Sequence, residues 1–474
     1  MKAFVVAGVA SGVGKTTVAA GLMGALRRRG LRVQAFKVGP DYIDPMYHAR
    51  ATGRPARNLD SWLLPAPTLR VLFARAVADA DVAVVEGVMG LYDGRHGGGD
   101  AGSTAEVARL LDLPVVLVLD ASRQGRSAAA TVLGFRALDP RLRLIGVVLN
   151  RVGSAAHAAT LRAAVETLAG LPVLGVLHRR DALAVPERYL GLVPPAEQDA
   201  VERFLDAAAT LVGEAVDLGR LLRLAERPEP AGCPTALAAL LPPSHATAGE
   251  APGSGAEARA RLAVARDRAF GFYYADALDL LASAGLELCE FSPLAEPALP
   301  PDTHGLYLGG GFPELFAADL AANRPLLAAI RAAAARGLPI YAECGGLMYL
   351  AEQLVDRAGR AHALVGVVPA TVTMHDARLH LGYRTARALR DTLLVPAGGE
   401  VRGHEFHYSA VQYAPTAPHA YRFAETARQE GYAHGAVLAS YLHLHLASAP
   451  ALAARFAAAC ARWRAQSTAA GLAS

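Results

Sequence analysis

The sequence is poor in the residues and segments that mark secreted or membrane-spanning chains. Among its 474 residues, the few cysteines lie far apart and lack metal-ligand spacing. This argues against a disulfide scaffold and favours a reducing compartment. No apolar run reaches membrane-spanning length, and no signal-peptide pattern precedes the first strand-like run. We therefore expect a cytoplasmic protein without a membrane partner. The four cysteines are Cys233, Cys289, Cys344 and Cys460.

Charge is also scarce. Charged residues make up 19% of the chain, the formal net charge is only +4, and 53% of the residues are hydrophobic. So small a net charge gives no case for a nucleic-acid partner. The hydrophobic content excludes an overall disordered chain, and the length suits two or three domains.

Strand-like apolar runs alternate with helical stretches in two parts of the chain. Such continuous runs are typical of parallel strands covered on both faces, which predicts α/β domains with doubly wound sheets. We place the first domain at residues 1–225 and the second at 261–474. Between them, residues 226–260 accumulate Pro, Ala, Gly and Ser, as a linker does. The predicted strands after the first are Val33–Val38, Val82–Val85, Val115–Leu119, Leu144–Leu149, Val173–Val176, Arg261–Ala265, Leu286–Phe291, Gly305–Leu308, Pro339–Ala342 and Val437–Tyr441.

The first apolar run leads into a glycine-rich turn and then a helical run. Glycines allow backbone N–H groups to converge on a phosphate, and the helix directs its positive end there. Lys15 is expected to reach the outer phosphates, and the Thr16 hydroxyl to hold Mg²⁺. Val9 stands where the usual spacing has glycine, so the turn is a P-loop variant. The predicted nucleotide-binding residues of the loop are Gly8, Ser11, Gly12, Val13, Gly14, Lys15, Thr16 and Thr17.

Acids and an amide follow several predicted strands, at the sheet edge where ligands collect. An acid there either caps the next helix or faces a metal. With Lys15 and Thr16 in the same site, we interpret Glu86 as a metal-side carboxylate. Asn150 is placed to bind a base edge, although a loop-forming role is the alternative.

A cysteine stands at a sharp turn in the second domain. Pro339–Ala342 is strand-like, Cys344 follows, and Gly345 and Gly346 begin a helical run. This is the pattern of a nucleophile elbow. We expect an exposed sulfur at a helix N-terminus, a position that favours the thiolate.

A base and an oxyanion site for this cysteine are also present. Two imidazoles, His443 and His445, follow a late strand, where alternation places them on one face. Three glycines follow the strand that ends at Leu308, and the N–H groups of Gly310 and Gly311 are candidates to bind an oxyanion. Cys344 and His443 are the predicted catalytic pair.

The glycine run, the cysteine elbow and the late histidine, in this order, resemble the class I glutamine amidotransferase domain, in the variety found in corrin-ring amidases. The first domain resembles the dethiobiotin-synthetase-like ATP-binding domain, in which an early glycine like Gly8 is usual. Together the two halves resemble the cobyrinic acid a,c-diamide synthases over nearly the whole chain except the linker. The stretches that carry this likeness are residues 36–45 (FKVGPDYIDP), 57–60 (RNLD), 85–94 (VEGVMGLYDG), 186–188 (PER) and 269–274 (AFGFYY).

The resemblance implies amidation of the a and c acetate groups of cobyrinate or hydrogenobyrinate in cobalamin biosynthesis, with ATP, Mg²⁺ and L-glutamine. It implies a Mg²⁺ site at Thr16, Asp41 and Glu86. It also implies contacts of the corrinoid with a second set of residues, Tyr42, Ile43, Asp44 and Asp93.

One position departs from the class I pattern. A glutamate usually stands two residues after the catalytic histidine, whereas this chain has His445 there. The corrinoid branch is similar in lacking it. Glu405 is a candidate to orient His443 instead.

Several alternatives stay open at this point. The ring is a corrin, with or without cobalt, or a (nickel-)sirohydrochlorin. A different class of function is a P-loop switch ATPase of the partitioning type with a non-catalytic C-terminal domain. Homodimer formation is also left open.

Overall fold

A computed structural model describes residues 1–95, 97–179, 195–226, 259–375 and 378–469 of this chain. The chain forms two compact units, Met1–Thr235 and Ala236–Ser474. The motif at residues 186–188 and nearly all of the predicted linker lie outside the described residues, and the predicted domain bounds remain a prediction. Among the described helices, none is long and apolar enough to cross a membrane.

The described part of the first unit is built on a seven-stranded parallel sheet, in the order β3-β2-β4-β1-β5-β6-β7. Its strands β1 to β7 are Lys2–Gly8, Val33–Val38, Arg57–Leu59, Val82–Glu86, Val115–Asp120, Leu144–Val152 and Val173–His178. Its helices α1 to α8 are Lys15–Arg28, Ile43–Thr52, Ala66–Ala76, Thr104–Leu110, Ser127–Leu138, Ala155–Ala164, Pro195–Ala215 and Leu218–Leu224, with a π-helical turn at Val165–Ala169.

The order of this sheet determines where the site lies. Strand β1 is central, with β4 on one side and β5 on the other, and β2 lies beyond β4. All of β2 and β4 is buried, as expected for strands covered on both faces. The carboxyl ends of β1, β2 and β4 therefore meet at one edge of the sheet.

The second unit contains a six-stranded sheet in the order β10-β8-β11-β13-β23-β22 and smaller sheets around it. Pairing in the six-stranded sheet is parallel except for the β22–β23 hairpin. The strands of the second unit, β8 to β24, are Ala260–Ala265, Phe270–Phe272, Leu286–Phe291, Thr303–Leu308, Gly310–Gly311, Ile340–Glu343, Ala351–Val355, Ala361–Ala363, Val368–Thr373, His380–Ala388, Glu400–His407, Ala410–Tyr413, Tyr421–Phe423, Gln429–Glu430, Tyr432–His434, Val437–Ser440 and His443–Leu444. Its helices α9 to α13 are Ala275–Ser283, Ala317–Ala322, Arg324–Arg336, Gly345–Leu350 and Pro450–Ala469.

The predicted strands of both units are confirmed, with ends that differ by a few residues. The sequence did not predict the antiparallel sheet in the order β21-β20-β17-β18-β24. Strand β18 pairs with β24 so that His404 lies opposite His443. This small sheet therefore contributes directly to the environment of the predicted catalytic histidine.

Candidate active sites

The glycine-rich loop connects β1 to α1. Gly14 adopts the left-handed conformation with φ 93° and stands immediately before the first residue of the helix. A Cβ atom added at Gly8 would lie 2.7 Å from Val13 Cγ2 and 2.9 Å from Lys15 Cδ. The early glycine thus leaves room for the Lys15 side chain to fold back over the loop. This is a physical reason for the variant spacing.

Lys15 lies at the centre of the charges at this edge. Its Nζ donates a hydrogen bond to Ala10 O at 3.0 Å, and the residue is 8% exposed. Burial and the nearby Lys37 cation lower the pKa of Lys15, whereas Glu86, Asp44 and Asp93 act in the opposite direction. Residues from four separate parts of the first unit therefore lie close enough to act on this ammonium group.

A buried ion-pair network adjoins Lys15, and two of its members were not predicted as site residues. Lys37 Nζ lies 2.7 Å from Asp44 Oδ2 and 2.9 Å from Glu86 Oε1. His48 Nε2 lies 2.5 Å from Glu86 Oε2. Burial disfavours the Lys37 cation, but the Glu86 and Asp44 carboxylates outweigh it and raise the pKa of Lys37. The sequence signal for Lys37 is a lysine within an apolar strand that is covered on both faces.

The metal-ligand prediction rests on Thr16, Glu86 and Asp41. Thr16 Oγ1 donates to Glu86 Oε1 at 2.8 Å, so two oxygen ligands suited to Mg²⁺ are adjacent. Asp41 accepts the backbone N–H of Ile43 at 2.9 Å, and burial together with Asp44 raises its pKa to about 7. In the described ranges, no three His, Cys, Asp or Glu side chains are grouped to hold a metal by themselves. The assignment of Thr16, Asp41 and Glu86 to a Mg²⁺ ion therefore stays a prediction, in which phosphate and water would supply the other ligands.

The remaining predicted residues of the first unit lie at the same edge. Tyr42 and Ile43 are buried beside Asp44 at the start of α2. Asp93 is exposed and accepts the N–H of Gly90 at 2.9 Å. Asn150 Nδ2 donates to Val13 O at 2.9 Å. This amide therefore contacts the phosphate loop, and its predicted role in base binding is left as a prediction.

The second unit has the predicted elbow between β13 and α12. Cys344 has φ 47°, which is uncommon for a residue with a side chain, and the Cys344 N–H donates to Ser440 O at 2.7 Å. A Cβ at Gly346 would lie 2.2 Å from Leu308 O. Only glycine allows the elbow to approach the end of β11 this closely. Strain of this kind at a sharp strand-to-helix turn is typical of a nucleophile elbow.

The glycine run and His443 converge on this elbow. A Cβ at Gly345 would lie 3.0 Å from Gly311 N, and a Cβ at Gly310 would lie 2.6 Å from His443 Cε1. The Gly309 N–H donates to Tyr273 Oη at 2.9 Å, which directs it away from an oxyanion role. His445 stacks on Tyr274 with 4.6 Å between ring centroids. Gly345 of the elbow therefore lies close to Gly311, and the His443 ring lies close to Gly310.

The prediction of an exposed sulfur is wrong. Cys344 is 5% exposed, and burial together with Glu314 raises the pKa of the thiol. The helix that follows has only six residues, so its dipole does not overcome desolvation. Deprotonation of this cysteine therefore needs a base beside it.

Two family models match the chain. Residues 4–192 match the CobQ/CobB/MinD/ParA nucleotide binding domain, and residues 261–451 match the CobB/CobQ-like glutamine amidotransferase domain. The first match covers the unit with the glycine-rich loop, and the second covers the unit with the elbow.

Curated relatives match the chain almost from end to end. A cobyrinate a,c-diamide synthase of Salmonella typhimurium is 46% identical, covering 97% of this chain and 98% of the relative. That of Dehalococcoides mccartyi strain CBDB1 is 45% identical over 95% and 96% of the two chains. A hydrogenobyrinate a,c-diamide synthase of Streptomyces coelicolor is 45% identical over 96% and 97%.

Proposed function

Because this chain belongs to the family of cobyrinate and hydrogenobyrinate a,c-diamide synthases, we propose that it amidates the a and c acetate groups of a corrin ring. ATP activates each carboxylate and L-glutamine supplies the nitrogen. The main support is that one chain contains both a phosphate loop and a cysteine elbow. This chain matches these synthases over 95–97% of its length.

In the amidotransferase unit, Cys344 attacks the side-chain amide carbon of glutamine. The thiol proton passes to His443, which then protonates the departing nitrogen, so ammonia leaves and a thioester remains. Water hydrolyses the thioester and releases glutamate. The N–H groups of Gly310 and Gly311 are the proposed donors to the oxyanion that forms in each step.

In the synthetase unit, a ring carboxylate attacks the γ-phosphorus of ATP, and ADP leaves. The resulting acyl phosphate is attacked by ammonia, and phosphate leaves as the amide forms. Lys15 and the N–H groups of the loop stabilise charge on the transferring group. The proposed contacts of the ring and its carboxylate are Tyr42, Ile43, Asp44 and Asp93.

We propose that Thr16 and Glu86, with Asp41 nearby, hold a Mg²⁺ ion. When bound, this ion neutralises charge on the ATP phosphates. The adjacent oxygens of Thr16 and Glu86 support the assignment. Location in the cytoplasm is likewise proposed, since the few, widely spaced cysteines suit a reducing compartment.

The ring substrate is tested by offering cobyrinate, hydrogenobyrinate, sirohydrochlorin and nickel-sirohydrochlorin separately with ATP, Mg²⁺ and glutamine. We expect each accepted corrin to gain two amides, which mass spectrometry detects, together with stoichiometric ADP and glutamate. Amidation of a sirohydrochlorin alone would assign the chain to a different ring. ATP hydrolysis without amide formation on any ring would support the partitioning-type alternative.

Replacing Asp44 with asparagine is expected to lower the rate of ring amidation by about 10²-fold, because the carboxylate leaves the charge cluster around Lys15 and Lys37. Glutamine hydrolysis at Cys344 should continue. Amide formation is followed by mass, with Asp79→Asn as the matched control. Asp79 forms an ion pair with Arg54 at 2.7 Å elsewhere in the unit, and this variant should retain the wild-type amidation rate. A wild-type rate for Asp44→Asn would remove Asp44 from the substrate site.

A further inference from the structure

We infer that Glu343 is the carboxylate that positions His443, a role that rests on the glutamine hydrolysis proposed above. Glu343 Oε2 lies 3.7 Å from His443 Nδ1, and both side chains are almost completely buried. Glu343 is the last residue of β13 and directly precedes Cys344. The nucleophile and the group that holds its base are thus consecutive residues, in place of a glutamate two residues after the histidine.

Glu343 is held rigidly by three donors. Tyr307 Oη donates to Oε2 at 3.1 Å, and Tyr341 Oη donates to Oε1. The Leu444 N–H donates to Oε1 at 3.0 Å. Because Leu444 follows His443 directly, the same carboxylate fixes the backbone that carries the histidine. A buried carboxylate with this many donors is satisfied where it lies and keeps a single orientation.

Glu405, the candidate suggested by the sequence, has other partners. Its Oε2 accepts from Arg384 Nε at 2.7 Å, and its Oε1 pairs with Arg428 and lies 3.7 Å from His407 Nε2. Although burial opposes ionisation, His407 and Arg428 outweigh it and lower the pKa of Glu405 to about 2. The charge of Glu405 is therefore engaged by Arg384 and Arg428.

Among the described residues, the partner of His443 across the small sheet is a second imidazole, which supplies no negative charge. His404 lies opposite His443 across the β18–β24 pair, and burial together with His443 lowers the pKa of His404 to about 3. That imidazole is neutral at physiological pH. In the glycine run, a Cβ added at Gly310 would lie 2.6 Å from Cε1 of the His443 ring, and glycine has no side chain to carry a charge.

This arrangement assigns a defined task to each nitrogen of His443. With Nδ1–H directed at Glu343, Nε2 carries the lone pair that receives the Cys344 proton. The imidazolium formed at that moment lies beside a fixed negative charge, which stabilises it. Hydrogen bonds of catalytic groups are commonly long before substrate binds and shorten in the complex.

Replacing Glu343 with glutamine tests this role. Glutamine hydrolysis should show a kcat lower by about 10²-fold with KM within about twofold, because the substrate contacts are unchanged. The acidic limb of the pH profile of kcat/KM, below which His443 is protonated and cannot accept the thiol proton, should move to lower pH, since the imidazolium loses an opposite charge. Amidation with added ammonia should proceed as in the wild type.

Tyr307→Phe is the matched control. It removes a bond to the same Oε2 atom but keeps the negative charge. A purely structural network would be damaged by either change. Positioning through charge instead predicts that the acidic limb of Tyr307→Phe stays at or above its wild-type pH. An equal downward shift in both variants would overturn the assignment.

Two further variants keep the inference testable if Glu343→Gln does not fold. Glu343→Asp should give a kcat and an acidic limb between those of the wild type and Glu343→Gln, and wild-type values would contradict the role. In a His443→Ala background, Glu343→Asp should cause no additional loss, because Glu343 acts through His443. If the wild-type chain itself fails to hydrolyse glutamine, the proposed function fails. Unaltered hydrolysis by a folded Glu343→Gln variant refutes only this inference.

Discussion

Replacing Cys344 with alanine is expected to abolish glutamine-dependent amidation and to leave ammonia-dependent amidation close to the wild-type rate. Without the sulfur, no thioester forms, and the loss in glutamine hydrolysis should reach at least about 10⁴-fold. The synthetase unit has its own core and its own charge cluster, so ammonia supplied from solution still reaches an intact site. Mass spectrometry of the ring product with each nitrogen source measures both activities.

Cys460→Ala is the control for the loss of a buried thiol. Cys460 is also fully buried, on α13, where its Sγ adjoins Gly305 of β11. Burial raises the pKa of Cys460 to about 12. Cys460 belongs neither to the elbow, nor to the glycine run, nor to the strand that carries His443. This variant should keep both activities. If Cys344→Ala also lost ammonia-dependent amidation, the division of chemistry between the two units would be wrong.

The fold was predictable because its main strands are locally encoded. Continuous apolar runs such as Val115–Leu119 become buried parallel strands over nearly the same residues. The elbow is also local, since Gly345 and Gly346 directly follow Cys344 and permit its close packing. Residues that depend on neighbours in sequence were therefore identified before the structure.

The groups that the sequence did not identify depend on pairing between distant strands. Lys37 and Glu86 lie in register on β2 and β4, 49 residues apart in the chain. Glu343 meets His443 because β13 is paired with β23, which precedes β24. The burial of Cys344 is likewise a tertiary effect. No local pattern encodes which carboxylate faces which cation, so these contacts required the structure.

Lys15 and Lys37 should affect activity alike but stability differently when each is replaced by methionine. Both variants should lose ATP-dependent amidation with either nitrogen source, because both cations belong to the cluster at the phosphate loop. Lys37→Met should also destabilise the first unit by about 3–5 kcal/mol, since the buried Glu86 and Asp44 lose the cation between them. Lys15→Met should stay within about 1 kcal/mol of the wild type, because its Nζ bonds to a loop carbonyl and its burial opposes its charge.

Unfolding in denaturant, followed by fluorescence, measures these stabilities. The chain has two tryptophans, Trp62 in the first unit and Trp463 in the second, so a Trp463→Phe background reports the first unit alone. Equal stabilities of the two lysine variants would contradict the pairing described for Lys37. A strongly destabilised Lys15→Met variant would mean that Lys15 also neutralises the buried carboxylates.

The pH dependence of the Lys37→Met defect has a definite sign. In the wild type, the nearby cation helps to hold the pKa of Glu86 below its usual value, although burial opposes this. The ionised Glu86 carboxylate stabilises the wild type above the pKa that this group has in the unfolded chain, and this contribution is lost as the pH falls. Without Lys37, burial and Asp44 favour the protonated carboxyl group, so the folded variant takes up protons on acidification. The stability difference between the variant and the wild type should therefore be largest near pH 7 and shrink toward pH 5. A difference that grows on acidification would show that Glu86 remains paired without Lys37.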